Sequence, residues 1–274
     1  MNPKIYIATV HWQSSYWIDI QLNYINAHIS SEHEIFACLN GIKKDQFDKF
    51  SFATDYPIKD HGTKLNLLAE EILKQGNDDD WLIFLDGDAF PIDNIIEFGL
   101  QHLKTHHLIA VQRSENLGDI QPHPCFCLTT VGFWKKIKGD WKKGESKWKN
   151  SRGRMVNDVG GTLLSILNKE KISWKALNRS NVHNLHPLMF GIYGDIVYHH
   201  GMGFRKPAAR IDKYHSKDFK IKKQRFDWFA QFLPSGLNKF LFSPYNHIIR
   251  NNRKLNKKVL SWIEKDFSFF KKFQ

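Results

Sequence analysis

The run Trp81-Leu82-Ile83-Phe84-Leu85 constrains the fold more than any other segment, because every position is apolar and it stops abruptly at Asp86-Gly87-Asp88. A strand that is apolar on both faces must be covered on both faces, as a central strand is in a parallel sheet with helices above and below. Ile5 to Val10 has the same character, and β-favouring runs follow at Glu34 to Leu39, Leu108 to Val111 and Cys125 to Thr130. Segments of helical period lie between them. Trp17, Ile18, Leu22 and Ile25 share one face of a helix that Ser14 or Ser15 would cap. Leu65, Leu68, Ala69, Ile72 and Leu73 share a face of a second, over Thr63 to Lys74. Pro91 and Asp93 read as opening a third through about His102, and Val159 to Leu167 reads as another after Gly160-Gly161. Lys138 to Arg154 reads as a basic, Trp-containing loop, and Ile192 to Tyr198 as a final strand broken by Gly194. This alternation predicts an α/β fold with a largely parallel, twisted sheet flanked by helices over residues 1–205. Residues 206–274, dense in Lys, Arg and aromatics, predict a basic, aromatic-rich helical extension.

The chemistry starts where the apolar strand ends. Open α/β sheets bind ligands at the carboxyl edge of their strands, and Asp86 and Asp88 stand there one residue apart. Alternate residues of an extended chain point the same way. Gly87 between them carries no side chain and lets a ligand approach the backbone. Two carboxylates facing one cavity repel and call for a cation, and oxygen donors suit Mg²⁺ or Mn²⁺. The plainer reading is a surface turn, since Asp-Gly is a common turn dipeptide. A second apolar run ends in His199-His200-Gly201. Imidazole joins carboxylates readily around an Mn²⁺-type ion. Successive residues of a strand face opposite ways, so one of the two histidines is expected to bind, and His200 is the favoured one. Cys38, Cys125 and Cys127 are too few and wrongly spaced for a disulfide framework or a zinc site.

On these residues the chain resembles the GT-A glycosyltransferases, whose defining DxD motif follows a hydrophobic strand; the resemblance covers roughly Ile5 to Arg205. It implies a GT-A, Rossmann-like sheet and a nucleotide-sugar donor, with Asp86 and Asp88 holding the ion and a late histidine as third ligand. The donor nucleotide would sit over Thr9, Val10 and His11 at the end of the first strand, with Asn40 near the end of the second in the place where the family often has an acidic residue. His61-Gly62-Thr63-Lys64-Leu65-Asn66 looks like the family's loop of Gly, a basic residue and Asn beside the nucleotide. Lys64 would then neutralise phosphate, the alternative being a solvated first-turn lysine. Arg205 would touch diphosphate oxygens, and Gly87 would leave room for the donor. Asp158 matches an acidic residue at a helix start that serves inverting members as general base; as a helix N-cap it would need no further role. His123 and Arg113 lie in the zone where relatives contact donor sugar or acceptor, or are plain loop.

The formal net charge of +12 favours anionic partners without choosing among them. Together with the resemblance it points to a UDP-sugar donor and a glycan or glycolipid acceptor of the lipopolysaccharide or capsule type. The basic, aromatic extension suits an anionic membrane surface, and the short apolar run at the N-terminus is neither a signal segment nor a span. A cytoplasmic protein, peripheral on the inner face of the plasma membrane, is the expected setting. A nucleotidyltransferase would carry a Gly-rich, basic loop after the first strand, where this chain has Thr9-Val10-His11-Trp12-Gln13-Ser14. A non-catalytic basic protein binding nucleic acid or anionic lipid would not need the carboxylates and a late histidine together. No nucleic-acid-binding motif is present, and no nucleic acid partner is expected.

Overall fold

The apolar runs become the strands of one central sheet, and the computed structural model describes residues 3–201, 203, 228–229, 231–234 and 244–274. In chain order the elements are β1 (Ile5–Trp12), α1 (Tyr16–His28), β2 (His33–Asn40), β3 (Phe52–Thr54), α2 (His61–Leu73), β4 (Trp81–Asp86), β5 (Ala89–Pro91) and α3 (Ile95–His102). Then come β6 (Leu108–Val111), β7 (His123–Thr130), α4 (Val131–Ile137), β8 (Trp148–Lys149), β9 (Met155–Val156) and α5 (Gly161–Lys169). β10 (Lys175–Leu177), β11 (Gly191–Tyr193), β12 (Val197–His199) and α6 (Pro244–Lys265) complete the set. Seven strands form one sheet in the order β10-β6-β7-β4-β1-β2-β3, parallel except for β7, which runs against both its neighbours. This is the largely parallel, helix-flanked α/β sheet that the alternation predicts.

The period of two along each strand divides the core. Ile5 and Ile7 of β1 pack on one face with Ile18 and Ile25 of α1 and Ile95 of α3. Tyr6, Ala8 and Val10 pack on the other with Leu65, Leu68 and Ile72 of α2 and Leu163 and Leu167 of α5. Because β4 contributes Leu82 and Phe84 to one side and Ile83 and Leu85 to the other, its position in the middle of the sheet follows from its composition.

A third cluster holds the C-terminal segment. Val259 and Ile263 of α6, with Phe269 and Phe273, pack on Trp17 and Tyr24 of α1, Phe90 of β5 and Tyr198 of β12. The Tyr24 hydroxyl donates to the carbonyl of Phe267 at 2.9 Å, and the carbonyl of Phe273 accepts from the amides of Val182 and His183. The far end of the chain is thus built into the back of the fold. The boundary expected at residues 205 and 206 lies outside the described residues. No helix among the described residues is long and apolar enough to cross a membrane.

Several local expectations change. Pro91 ends β5 instead of opening a helix: β5 pairs with β12, and α3 begins at Ile95, where Asn94 Oδ1 accepts from the amides of Ile96 and Glu97. Ile192 to Tyr198 is two antiparallel strands, since Gly194 and Asp195 both take φ of 56° and reverse the chain. Ser15 occupies the cap position of α1 with no side-chain bond, while Ser14 Oγ accepts from the amide of Tyr16, the first residue of the helix, at 3.3 Å. The basic stretch before Asp158 holds the two-stranded ribbon β8–β9. α5 begins at Gly161 behind Gly160, whose φ of 89° suits glycine.

Candidate functional site

β1 and β4 lie side by side in parallel register, with Val10 opposite Asp86, so both strands release their last side chains at the same edge. The Gly87 amide carries the ladder one step further by donating to the Val10 carbonyl at 3.2 Å. The chain then turns into β5. That short strand pairs with β12 so that Ala89 stands opposite His199. The second sheet therefore brings a residue more than a hundred positions away over the end of β4. His199 Nε2 lies 3.7 Å from Asp86 Oδ2 and 3.5 Å from Asp88 Oδ1. One donor atom from each of the three falls within 4.8 Å of the others.

The surroundings keep both carboxylates charged. Burial opposes ionisation of Asp86, but His61, then His123 and His199, hold its carboxyl well below the usual carboxylate range. Burial likewise opposes ionisation of Asp88, and His199 outweighs both it and the repulsion from Asp86. His61 Nε2 sits 2.8 Å from Asp86 Oδ1, and Asp88 Oδ2 accepts from the Gly203 amide at 2.7 Å. Among the described residues, only histidines form ion pairs with these two carboxylates. Two anionic carboxylates with one imidazole facing them form an oxygen-rich donor set that fits Mn²⁺ or Mg²⁺.

His200 faces the opposite way, as the alternation along a strand requires. Its Nδ1 meets the Tyr198 hydroxyl at 3.0 Å and its Nε2 meets Asn256 Oδ1 at 2.8 Å. Its ring packs on Trp17 and Phe190. Of the two candidate histidines, His199 is the one brought to the carboxylates; His200 is committed to the C-terminal helix, contrary to the expectation that favoured it. The face was open in the sequence because it is set by the pairing of β12 with β5.

Beneath the cluster the end of β1 is a floor. Thr9 and His11 are fully buried, Val10 nearly so. The Thr9 hydroxyl donates to Gln21 Oε1 at 3.0 Å, and His11 Nε2 meets the same oxygen at 3.1 Å. Gln21 Nε2 in turn donates to the carbonyls of Asp86 and Ala89 at 2.8 and 2.7 Å. One glutamine thus ties β1 to the turn that carries both aspartates. The Thr9 and His11 side chains face this network. Burial holds His11 neutral, lowering its pKa to about 4.

Beside this floor, Lys64 is buried rather than solvated, with Nζ 4.1 Å from the centre of the Trp12 ring. Burial lowers its pKa. Asn40 is also buried; its Nδ2 donates to the carbonyls of Asp55 and Tyr56, while Oδ1 has no partner among the described residues. Asn66 is turned elsewhere, bonded to Asp140 Oδ1 and to the Trp141 amide, because α2 packs against the 139–142 segment. Arg205 lies outside the described residues.

His123 lies beside the cluster, its ring centre 6.1 Å from that of His199. Burial, then the charge of Arg113, puts its pKa well below the ordinary histidine value. Burial works against the charge of Arg113 itself, but Tyr193 and Glu115 keep the guanidinium protonated. Arg113 Nε lies 3.7 Å from Glu115, which also accepts from the Tyr193 hydroxyl at 2.6 Å. Asp158 stands three residues ahead of α5 and does not cap it, since Gly160 does. Its Oδ1 accepts from the Val159 amide and lies 4.0 Å from Lys143 Nζ.

Two residues of the site were given no role by the sequence. His61 opens the motif that runs to Asn66, but it stands just outside a helix expected to begin at Thr63. Gln21 carried a legible signal: it is a polar residue inside the buried stripe of Trp17, Ile18, Tyr24 and Ile25.

No protein-family model matches the sequence, and no curated protein matches it. Solved structures similar to it include S. aureus TarS, at 12% identity and TM-score 0.37 over 50% of this chain and 30% of that one. The galactosyltransferase LgtC, in complex with donor and acceptor sugar analogs, matches at 13% identity and TM-score 0.39, over 63% of this chain and 73% of that one. The glycosyltransferase GlyE of Streptococcus pneumoniae TIGR4 matches at 14% identity and TM-score 0.42, over 64% and 45%. This chain spans less than half the length of TarS and GlyE.

The burial of His11 sets a pH dependence. The unfolded chain takes up this proton near the ordinary 6.5, the folded chain only near 4. Its contribution is therefore complete above about pH 6.5 and is lost as pH falls towards 4. Thermal unfolding between pH 7.5 and 4.5 is expected to show a shallower loss of Tm for His11→Asn than for the parent chain; parallel curves would contradict this.

Proposed function

We propose that the chain is a metal-dependent glycosyltransferase of the GT-A type, which moves a sugar from a nucleoside-diphosphate donor, a UDP-sugar, to a hydroxyl of a cell-surface glycan or glycolipid. The observation that carries this reading is the convergence of Asp86, Asp88 and His199 at the carboxyl edge of the sheet. Such a donor set, charged and without a fixed lysine or arginine partner among the described residues, suits a cation that itself faces an anionic ligand. Mn²⁺ or Mg²⁺ held by these three residues would supply positive charge to the departing diphosphate.

The chain's own residues take the remaining roles. Gly87 leaves the backbone between the aspartates open to the donor. The ends of β1 and β2, with the Trp12 ring over Lys64 and an Asn40 Oδ1 that has no partner among the described residues, supply an aromatic face, a cation and an acceptor for the nucleotide. His123, held neutral beside His199, and Arg113 border the sugar and acceptor side. Asp158 has no capping duty and a half-exposed carboxylate, so it is assigned to the acceptor hydroxyl as general base or orienting group. Arg205 retains its expected role towards the diphosphate.

The C-terminal helix supports a membrane-bound acceptor. Arg250, Arg253, Lys254, Lys257 and Lys258 are exposed at helical spacing on one side of α6, opposite the buried Val259 and Ile263. Trp228, Phe229 and Phe232 are exposed as well. A basic stripe and exposed rings each suit an anionic lipid surface at the inner face of the plasma membrane. Co-sedimentation with phosphatidylglycerol vesicles is expected, and to weaken when Lys254 and Lys257 are both changed to Glu; retention by the double variant, or none by the parent, would contradict the membrane contact.

The reaction is tested with UDP-sugars as substrates, with Mn²⁺ present and after chelation. Turnover is expected only with metal, and Asp86→Asn or Asp88→Asn is expected to lower it by about a hundredfold or more. Unchanged turnover in both variants would overturn the reading.

A further inference from the structure

The sequence His61-Gly62-Thr63-Lys64-Leu65-Asn66 is not exhausted by Lys64. His61 is the first residue of α2 and the only one of the six whose side chain bonds one of the paired aspartates, among the described residues. We infer that His61 is a positioning residue of the metal centre: by holding Oδ1 of Asp86 it leaves Oδ2 aimed at His199 and at the cation. This rests on the metal reading of that site and adds to it a residue outside the DxD and the late histidine.

The geometry carries the inference. Asp86 Oδ1 is 2.8 Å from His61 Nε2, and the other oxygen, Oδ2, is the one within 3.7 Å of His199. An ionised carboxylate only accepts, so the proton of this bond resides on Nε2. Without that bond the carboxylate of Asp86 is free to turn about its terminal torsion, which is broad, and repulsion from Asp88 favours turning away.

His61 is itself fixed. The Asp60 side chain accepts from both the amide and the hydroxyl of Thr63 at 2.8 Å, which sets the start of α2. Gly62 lies so close to the next segment that a β-carbon there would stand 2.6 Å from the Trp141 carbonyl oxygen. Asn66 closes the same contact one turn later through Asp140 and the Trp141 amide. Glycine and asparagine in this motif thus clamp the helix start against residues 140–142, and the histidine they clamp presents its ring to Asp86. A bond of this kind, from a neighbouring group to a metal-ligating carboxylate, fixes its orientation, and loss of such a partner costs about 10- to 100-fold in metal affinity.

The test is Mn²⁺ binding to the metal-free full-length chain, read by loss of the free-ion EPR signal, with no sugar donor present. His61→Ala is expected to raise the Mn²⁺ Kd by about 10- to 100-fold, and His61→Gln, whose amide can donate to the same oxygen, to bring it back within a few-fold of the parent. An unchanged Kd in His61→Ala, or a Gln variant as weak as the Ala variant, would overturn the inference. Asp86→Asn separates the two readings: if it binds Mn²⁺ as the parent does, the metal centre itself is wrong. If it is weak while His61→Ala is normal, only the role of His61 falls. Should His61→Ala fail to fold, electron spin-echo spectra of the Mn²⁺-loaded parent with ¹⁵N-labelled histidine still decide. One coordinated imidazole is expected, and two would make His61 a ligand and overturn the positioning role.

Discussion

Repulsion between two carboxylates held at one sheet edge governs the arrangement of everything near them. The donor atoms lie within 4.8 Å of one another, and unit charges that far apart repel by roughly 3.5 kcal/mol at an effective permittivity of 20, more if closer. Each also resists leaving water. A hydrogen bond to a charged group returns about 1.5 to 3 kcal/mol, so the bonds from His61 and from the Gly203 amide offset part of this cost and not all. What remains is a negative site that a divalent ion would stabilise. Under the proposed function, the same excess of charge that would destabilise an empty fold would become affinity for a cation, and through the cation for a diphosphate.

Holding that charge together takes more of the chain than the DxD turn. β5 and β12 swing His199 over the end of β4. Gln21 of α1 takes two carbonyls from the turn and two polar groups from the end of β1. The His200 amide donates to the Asp88 carbonyl at 2.9 Å, while its ring is bonded to Asn256 of the C-terminal helix. A continuous path therefore runs from α6 to Asp88. The aromatic C-terminal segment acts as the back wall of this arrangement, packing Phe269 and Phe273 behind Tyr198. Its outer side is left free to present basic residues.

Much of this was legible in the sequence where one residue's environment depends on its immediate neighbours. An all-apolar strand had to be central, and the carboxylates after it had to fall at the carboxyl edge. Less was legible where tertiary pairing decides. Pro91 is a helix opener by local rules and a strand end in fact, because β12 pairs with the segment before it. The choice between His199 and His200 turns on the face that pairing gives to each, which no periodicity reveals. Lys64 had two readings by position, a phosphate contact or a solvated first-turn lysine; its burial beside the Trp12 ring, which removes the solvated one, depends on tertiary packing. Asn66 looked like a ligand contact and is a clamp, since its partners Asp140 and Trp141 are over seventy residues away. Gln21 shows the converse: a lone polar residue in an apolar stripe marks a buried network even when its partners cannot be named.

The central claim is that Asp86, Asp88 and His199 together bind one divalent ion. Anomalous diffraction at the manganese edge, from crystals of the full chain grown with Mn²⁺ and UDP, addresses it without recourse to turnover. A single anomalous peak is predicted, in contact with a carboxylate oxygen of each aspartate and with His199 Nε2. A peak elsewhere, or density showing UDP bound with no ion between its phosphates and these side chains, would contradict it.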